Sequence, residues 1–111
     1  MTTLTNLLDR LYEDDIVDTA DVARVSDTNP RSVSRWRTES VVPRRESEER
    51  LLELRAVVDL ARRVMRPDAA RLWMRSPNPD LGYDKPLDLI ATGNYQRVVD
   101  LLLALAEGVT S

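Results

Sequence analysis

The stretch that decides the fold reads WMRSPNPDLG over residues 73–82 and PLDLI over residues 86–90. The Pro-Asn-Pro run at 77–79 should end an apolar helix, because a proline pushes the preceding residue out of the helical region. Pro86 should begin a second short helix, since its fixed φ suits the first helical position and its missing N–H leaves no donor unpaired. The stretch therefore predicts two short helices joined by a tight turn.

Helices are predicted on both sides of this turn, and no segment shows the alternation of a strand. From the N-terminus, the predicted helices cover Leu4 to Leu11, a segment capped by Asp18 or Thr19, Pro30 to near Glu39, about Glu46 to Met65, a segment from Pro67, Pro86 to Ala91, and about Tyr95 to Glu107. The helix over 46–65 has nearly two apolar faces, so we expect it to be buried. The predicted class is all-α, divided into residues 1–45, 46–65 and 66–111.

The composition argues against most kinds of enzyme and metal site. The 111 residues include no histidine, no cysteine and only three glycines. Histidine is the commonest general base and metal ligand, and a phosphate-binding loop needs glycines, so we expect no enzyme, no cofactor and no metal. Residues 1–4 show no signal-peptide pattern, and no apolar run has membrane-spanning length. We therefore expect a cytoplasmic protein, without a membrane partner, that acts by binding.

The net charge of −3 conceals an uneven distribution. Residues 1–29 contain two basic and seven acidic residues, a balance of −5. Residues 30–66 contain ten basic and six acidic residues, a balance of +4. Residues 67–111 contain four basic and six acidic residues, a balance of −2. A local basic patch can bind nucleic acid even on an acidic protein. For residues 46–55 we favour the other interpretation, a helix face on which arginines pair with glutamates.

Two short helices, a tight turn and a third helix beginning at Pro30 are typical of a helix-turn-helix. In such a head, the base-reading side chains lie in the first turns of the last helix, whereas Val33 and Trp36 should point into a small core. A solvated helix face is the alternative for the arginines there. The residues predicted to contact DNA are Arg31, Ser32, Ser34, Arg35, Arg37, Arg44 and Arg45. One head offers few contacts, so operator DNA binding implies a homo-oligomer.

The C-terminal motifs resemble one family in particular. Trp-x-x-x-Pro-Asn at 73–78, Leu-Gly at 81–82, Pro-Leu-Asp-Leu-Ile at 86–90 and Gly-x-Tyr-x-x-Val at 93–98 precede a leucine-rich helix. This series resembles the partner-binding domain of Xre/MbcA/ParS antitoxins. The Ser-Arg-Trp run at 34–36 is similar to the Xre/Cro class of DNA-binding heads, so the resemblance covers nearly the whole chain.

The resemblance implies an antitoxin whose tail covers the active site of a RES-domain toxin, an enzyme that destroys NAD⁺, and whose head represses the shared operon. The residues that it places at the toxin are Asn78, Leu81, Gly82, Tyr83, Lys85, Pro86, Leu87, Leu89, Tyr95, Val109, Thr110 and Ser111. The last helix is too apolar for a solvated surface, so part of it should pack on a partner. We also consider that the tail after Gly108 enters a toxin pocket, where its carboxylate meets an arginine.

Two alternatives stay open at this point. The leucines of the tail, with Tyr95, can instead form a self-contained core, and Asp88 can pair locally. The whole chain can also be a stand-alone Xre-type repressor whose C-terminal helices only dimerise. One residue departs from the family pattern: Tyr83 stands where a second glycine is frequent, and a left-handed backbone there would be costly for tyrosine.

Overall fold

The computed structural model describes residues 4–39 and 41–108, and this part of the chain is helical throughout, without a strand. Its α-helices are α1 (Leu4–Tyr12), α2 (Thr19–Val25), α3 (Pro30–Thr38), α4 (Arg45–Val64), α5 (Pro67–Met74), α6 (Pro86–Ala91) and α7 (Tyr95–Ala106). Two short 3₁₀ turns lie at Glu13–Asp15 and Pro79–Leu81. The predicted all-α class is confirmed, and each predicted helix lies within a few residues of its expected place.

The helix starts follow from local chemistry. Asp18 caps α2: its side chain accepts a hydrogen bond from the Asp21 N–H at 3.0 Å, and the Asp21 carboxylate accepts one from the Asp18 N–H at 2.9 Å. This reciprocal arrangement satisfies two N–H groups that the helix itself cannot. Asn29 caps α3 by accepting from the Ser32 N–H at 2.9 Å, and Pro30 occupies the first helical position. The capping residues predicted from the sequence are therefore in use.

Helix α4 is the centre of the molecule. It packs against α1, α2, α5, α6 and, most extensively, α7. Leu51, Leu54, Val57, Val58 and Ala61 on α4 are fully buried, which agrees with the two apolar faces of its sequence. Each buried leucine or valine contributes about 1.5–3 kcal/mol of hydrophobic free energy. The N-terminal and C-terminal helices of the described ranges therefore share one core through this helix.

The charged face of α4 forms the ion pairs expected for it. Arg50 Nη1 lies 2.7 Å from Glu53 Oε1, and Arg45 Nε lies 3.5 Å from Glu49 Oε1. Arg55 pairs with Asp59 rather than with a glutamate, at 3.5 Å. No helix in the described ranges is both long enough and apolar enough to cross a membrane.

Candidate partner-binding and nucleic-acid-binding surfaces

The turn between α5 and α6 is organised by Asn78. Its carbonyl oxygen accepts from the Leu81 N–H at 2.9 Å and from the Tyr83 N–H at 2.8 Å, and its Oδ1 accepts from the Asp80 N–H at 2.9 Å. The Asn78 N–H in turn donates to the Asp84 carbonyl at 3.2 Å. Asn78 was predicted as a contact with the partner, but its side-chain oxygen is already used within the turn. Its structural role is to close the segment 78–84, which we call the asparagine turn.

The asparagine turn contains two consecutive left-handed residues. Gly82 has φ +64° and Tyr83 has φ +67°. The tyrosine therefore adopts the conformation that the sequence indicated as costly for it. Its side chain is 72% exposed. Gly82, Tyr83 and the half-buried Lys85 are thus residues of the predicted set that lie at the surface.

Most apolar members of the predicted toxin-binding set lie inside the protein. Leu81, Leu87 and Leu89 are at most 5% exposed, and Pro86 is buried with them. Tyr95 is half-buried and packs against the same core. Side chains with so little accessible area can support a binding surface but offer little of their own. Residues 109–111, the last predicted contacts, lie outside the described residues.

Exposed leucines that were absent from the predicted set lie elsewhere in the C-terminal half. Leu103 and Leu105 on α7 are 43% and 40% exposed, and Leu72 on α5 is 66% exposed. The apolar excess of α7 was the sequence signal for the first two. Leu72 had no such signal, because the short helix α5 gives too few turns to define its faces.

The surface of α3 is divided between apolar and polar residues. Val33 and Trp36 are buried, as predicted, which leaves Arg31, Ser34 and Arg35 exposed and Ser32 half-buried. A groove of about 180 Å³ beside α3 has Ser32 and Arg44 among its lining residues. Part of the polar set predicted to face DNA thus lies along one side of the N-terminal half.

The arginines of the predicted DNA-binding set differ in whether another described side chain already pairs with them. Arg35 Nε is 3.0 Å from Glu39 Oε2, while Arg37 pairs with Asp9 and stacks 5.4 Å from the centre of the Tyr12 ring. The side chains of Arg31 and Arg44 form no ion pair with any described residue. Within the predicted DNA-binding set, these two guanidinium groups are therefore the ones most available to phosphate or base edges.

Three arginines connect the C-terminal half of the chain, residues 46–108, to the N-terminal half, residues 4–45. They are Arg62, Arg71 and Arg75, and we call their contacts the joint. Arg62 donates to the carbonyl oxygens of Arg10 and Glu13 at 2.7 and 3.0 Å. Arg71 donates to the Asp15 carbonyl at 2.8 Å and to Asp18 Oδ2 at 3.1 Å. Two left-handed residues, Asp14 and Asp15, lie in the turn that these arginines cover.

The third arginine, Arg75, makes the most buried of these contacts. Its guanidinium meets the Asp21 carboxylate in a two-point pair at 2.7 and 3.2 Å and also donates to the Ile16 carbonyl at 3.2 Å. The Asp21 side chain is only 11% exposed. Near this joint, burial raises the pKa of Asp18, but hydrogen bonds from the Asp21 N–H and from Arg71 outweigh burial and hold that pKa below its usual value. Sequence reasoning missed all three arginines.

Asp88 on α6 forms an ion pair with Arg24 on α2. Asp88 is therefore paired within the chain, although with a residue distant in sequence and not with a local neighbour as expected. Within the described ranges, no group of three or more acidic side chains is arranged to hold a metal ion.

Comparisons with known proteins agree with this architecture. Residues 54–108 match the family model of the antitoxin Xre/MbcA/ParS C-terminal toxin-binding domain. The chain is 47% identical over 89 residues to the mycobacterial cidal antitoxin MbcA of Mycobacterium tuberculosis and of Mycobacterium bovis, covering 80% of this chain and 79% of each relative.

The fold is also similar to a chain in the crystal structure of the M. tuberculosis MbcT–MbcA toxin-antitoxin complex. The TM-score is 0.87 at 40% sequence identity, and the whole of both chains is covered. The matched domain begins inside α4, which agrees with the sharing of that helix between the two halves. This chain therefore belongs to the Xre/MbcA/ParS family of antitoxins.

Proposed function

We propose that this chain is a cytoplasmic antitoxin that binds a RES-domain toxin, occludes its NAD⁺-degrading active site and represses their shared operon. The observation that carries the proposal is the full-length similarity to a chain of a toxin-antitoxin complex, at a TM-score of 0.87. In this proposal residues 1–45 bind DNA, residues 46–65 connect, and residues 66–111 bind the toxin. The chain acts as a binding protein and not as an enzyme.

The exposed residues of the C-terminal half define the surface proposed for the toxin. Gly82 and Tyr83 lie at the tip of the asparagine turn, and Leu103 and Leu105 lie on α7. Exposed apolar side chains in a matched partner-binding domain favour contact with another protein. The buried leucines 81, 87 and 89 keep a supporting role beneath this surface. Residues 109–111 remain proposed contacts at the toxin pocket.

Co-purification tests toxin binding directly. The tagged chain is expressed in its native host, isolated, and the eluted proteins are identified by mass spectrometry. We expect one stoichiometric RES-domain protein, which consumes NAD⁺ once the antitoxin is removed and is inhibited again when it is returned. A chain that elutes only with itself would contradict the antitoxin proposal and favour the stand-alone repressor.

A pair of leucine variants tests the position of the toxin surface. Leu103→Asp and Leu105→Asp are made separately, because residues two apart point to different faces of a helix. The variant whose leucine contacts the toxin should lose co-purification, because its charge would enter an apolar contact without a partner, and full co-purification by both variants would exclude α7 from the toxin surface. Both side chains are partly exposed, so the helical circular dichroism should be retained. A truncation of residues 109–111 tests the tail separately, and full neutralisation by it would exclude the tail from the binding site.

DNA binding by the N-terminal half is supported by three features. Helices α2 and α3 pack closely across a turn at residues 26–29, α3 begins with a capped N-terminus, and Arg31 and Arg44 have no ion-pair partner among the described residues. A recognition helix presents its first turns to the major groove, which is where Arg31 and Ser32 lie. Arg31 is the residue we propose to read base edges, whereas Arg44 and Arg45 contact phosphates.

Binding to the DNA upstream of the gene tests this part. Arg31→Ala should reduce affinity for that DNA by tenfold or more and relax sequence preference, whereas Arg44→Ala should weaken all sequences similarly and lower the salt dependence. Arg63→Ala is the control, because Arg63 is exposed on the far part of α4. Both arginine variants should still neutralise the toxin, and joint loss of the two activities would contradict the division of labour.

A single α2–α3 unit offers few contacts to DNA, so we propose that the antitoxin is a homo-oligomer within the toxin-antitoxin complex. Light scattering of the purified complex measures this directly. A complex with one antitoxin copy that still binds operator DNA tightly would overturn it.

A further inference from the structure

Four non-glycine residues have a left-handed backbone in the described part of the chain, and one of them differs from the others. Asp14, Asp15 and Asp27 are aspartates, whereas the fourth is Tyr83 at φ +67°. Aspartate tolerates this conformation because its short side chain can form local hydrogen bonds. Tyrosine has no such compensation, and a bulky residue with this φ is an outlier. Tyr83 therefore carries strain that a glycine would avoid.

The asparagine turn forces Tyr83 into this conformation. Its N–H donates to the Asn78 carbonyl at 2.8 Å, and the Asn78 N–H donates to the Asp84 carbonyl on its other side at 3.2 Å. Gly82, also left-handed, precedes it. A strained residue persists only where the surrounding structure over-determines it, which is the case here.

The protein does not use the Tyr83 ring internally. The side chain is 72% exposed, and it takes part in no hydrogen bond, ion pair or ring contact with the described residues. The other two tyrosines, Tyr12 and Tyr95, are half-buried and pack against the core. Strain at an exposed aromatic residue without internal compensation points to a use outside the chain.

The surroundings of Tyr83 indicate what kind of surface it meets. Asp80 and Asp84 are both exposed in the same short turn, and the half-buried Lys85 follows it, so the segment around Tyr83 carries two carboxylates against one ammonium group. An apolar pocket with basic groups at its rim would complement this arrangement in both shape and charge. Tyrosine is among the residues that most often dominate binding energy, because its ring is large and loses little conformational entropy.

We propose that Tyr83 is the anchor of the toxin contact: the strained turn holds its ring ready for an apolar pocket with a basic rim on the toxin. The inference rests on the proposed toxin binding and assigns one residue within that surface. The strain is retained because the rigid turn fixes the ring before binding, which reduces the ordering that association requires.

Three substitutions at this position separate the ring from the strain. Tyr83→Gly removes both, Tyr83→Ala removes the ring and keeps a left-handed non-glycine residue, and Tyr83→Phe keeps the ring. Each full-length variant is measured for thermal stability and for affinity toward the toxin that co-purifies with the native chain. Val42→Ala is the control, because Val42 is 80% exposed but lies outside the matched domain, residues 54–108.

We expect stability and affinity to change in opposite directions. Tyr83→Gly should raise the melting temperature by roughly 2–5 °C through release of strain and weaken toxin binding about tenfold or more. Tyr83→Ala should weaken binding equally with a melting temperature within about 1 °C of the native value, and Tyr83→Phe should keep most of the affinity. The control should change neither quantity.

The outcomes separate this inference from the proposed function. If the native chain binds toxin and Tyr83→Ala binds equally well, the anchor is refuted while the antitoxin function stands. A large loss of stability in Tyr83→Ala would also refute it, because the ring would then have an internal role. If no toxin binds the native chain, the proposed function fails, and the inference fails with it.

Discussion

Two turns of this molecule share a backbone feature and differ in what covers it. The acidic turn at Glu13–Asp15 and the asparagine turn at 78–84 each contain two consecutive left-handed residues. In the acidic turn both are aspartates, and Arg62 and Arg71 from the C-terminal half close over it. In the asparagine turn they are Gly82 and Tyr83, and the tyrosine faces solvent. The strain in the acidic turn is compensated by contacts within the chain, whereas we propose that the strain at Tyr83 is compensated by contact with a partner.

Removal of Arg62 should have the largest effect on this comparison. Arg62→Ala leaves the carbonyls of Arg10 and Glu13 without their donor and takes a partner from Asp59. We expect the free energy of unfolding to fall by about 2–3 kcal/mol, because the lost hydrogen bonds come from a charged donor. Urea unfolding measures it as a lower midpoint at unchanged slope. The neighbouring Arg63→Ala should lie within about 0.5 kcal/mol of the native chain, and equal loss in both variants would count against the joint.

The asparagine turn can be opened by removing its side-chain bond. Asn78→Ala removes the acceptor for the Asp80 N–H, and we expect a loss of about 1 kcal/mol, as for a lost helix cap. Toxin affinity should fall as well, because Tyr83 would no longer be held in place. Asn94→Ala serves as the control, since the Asn94 side chain does not cap α7 and donates instead to the exposed Thr92 hydroxyl at 3.1 Å. Unchanged toxin affinity in Asn78→Ala would show that the turn need not be rigid.

Asp18, close to the acidic turn in sequence, should respond to acid. Hydrogen bonds from Asp21 and Arg71 outweigh burial and lower the Asp18 pKa, so the folded state favours the charged form. The associated stability is present above the unfolded pKa of about 4 and is lost as the pH falls through the folded value. The effect should be smaller than that of Asn78→Ala, because the Asp18 side chain is 46% exposed.

Asp18→Asn isolates this titration, since asparagine caps a helix as well as aspartate does. Urea midpoints measured from pH 7 to pH 3 should decline less steeply in the variant than in the native chain. Parallel declines would mean that other carboxylates govern the acid response.

The smallest effect should come from relieving the acidic turn. Asp14→Gly removes a left-handed aspartate but also a 3.6 Å contact with Arg62, so we expect a change within about 0.5 kcal/mol of zero. Thermal melting of Asp14→Gly beside Tyr83→Gly compares the two turns directly. A larger gain in Asp14→Gly than in Tyr83→Gly would reverse our reading of where uncompensated strain lies.

The helices were predictable because their signals are local. Asn29 with Pro30, and Pro86 alone, mark helix starts through a few neighbouring atoms, and the buried positions of Val33 and Trp36 follow from helical spacing. The three joint arginines were not predictable, since Arg75 lies 54 residues from Asp21 along the chain. The asparagine turn was an intermediate case, because the sequence indicated its position and the cost of a left-handed backbone at Tyr83 but not that the tyrosine would adopt that backbone.

The candidate toxin surface was predicted less well for a physical reason. A motif shows which positions matter but does not separate a side chain that touches a partner from one that holds the surface in place. Leu81, Leu87 and Leu89 lie within the motif, yet their exposure leaves them a supporting role. The exposed Leu72, by contrast, lies outside these motifs, so the motifs did not indicate it.

The joint between the two halves has a consequence for how such a protein can diverge. Four of its acceptors are main-chain carbonyls, those of Arg10, Glu13, Asp15 and Ile16, which every amino acid supplies equally. Apart from Asp18 and Asp21, whose carboxylates pair with Arg71 and Arg75, residues of the N-terminal half can therefore be substituted without loss of these contacts, provided that the path of the chain is kept. The sequence of the N-terminal half is in this way free to change while its attachment to the C-terminal half is kept.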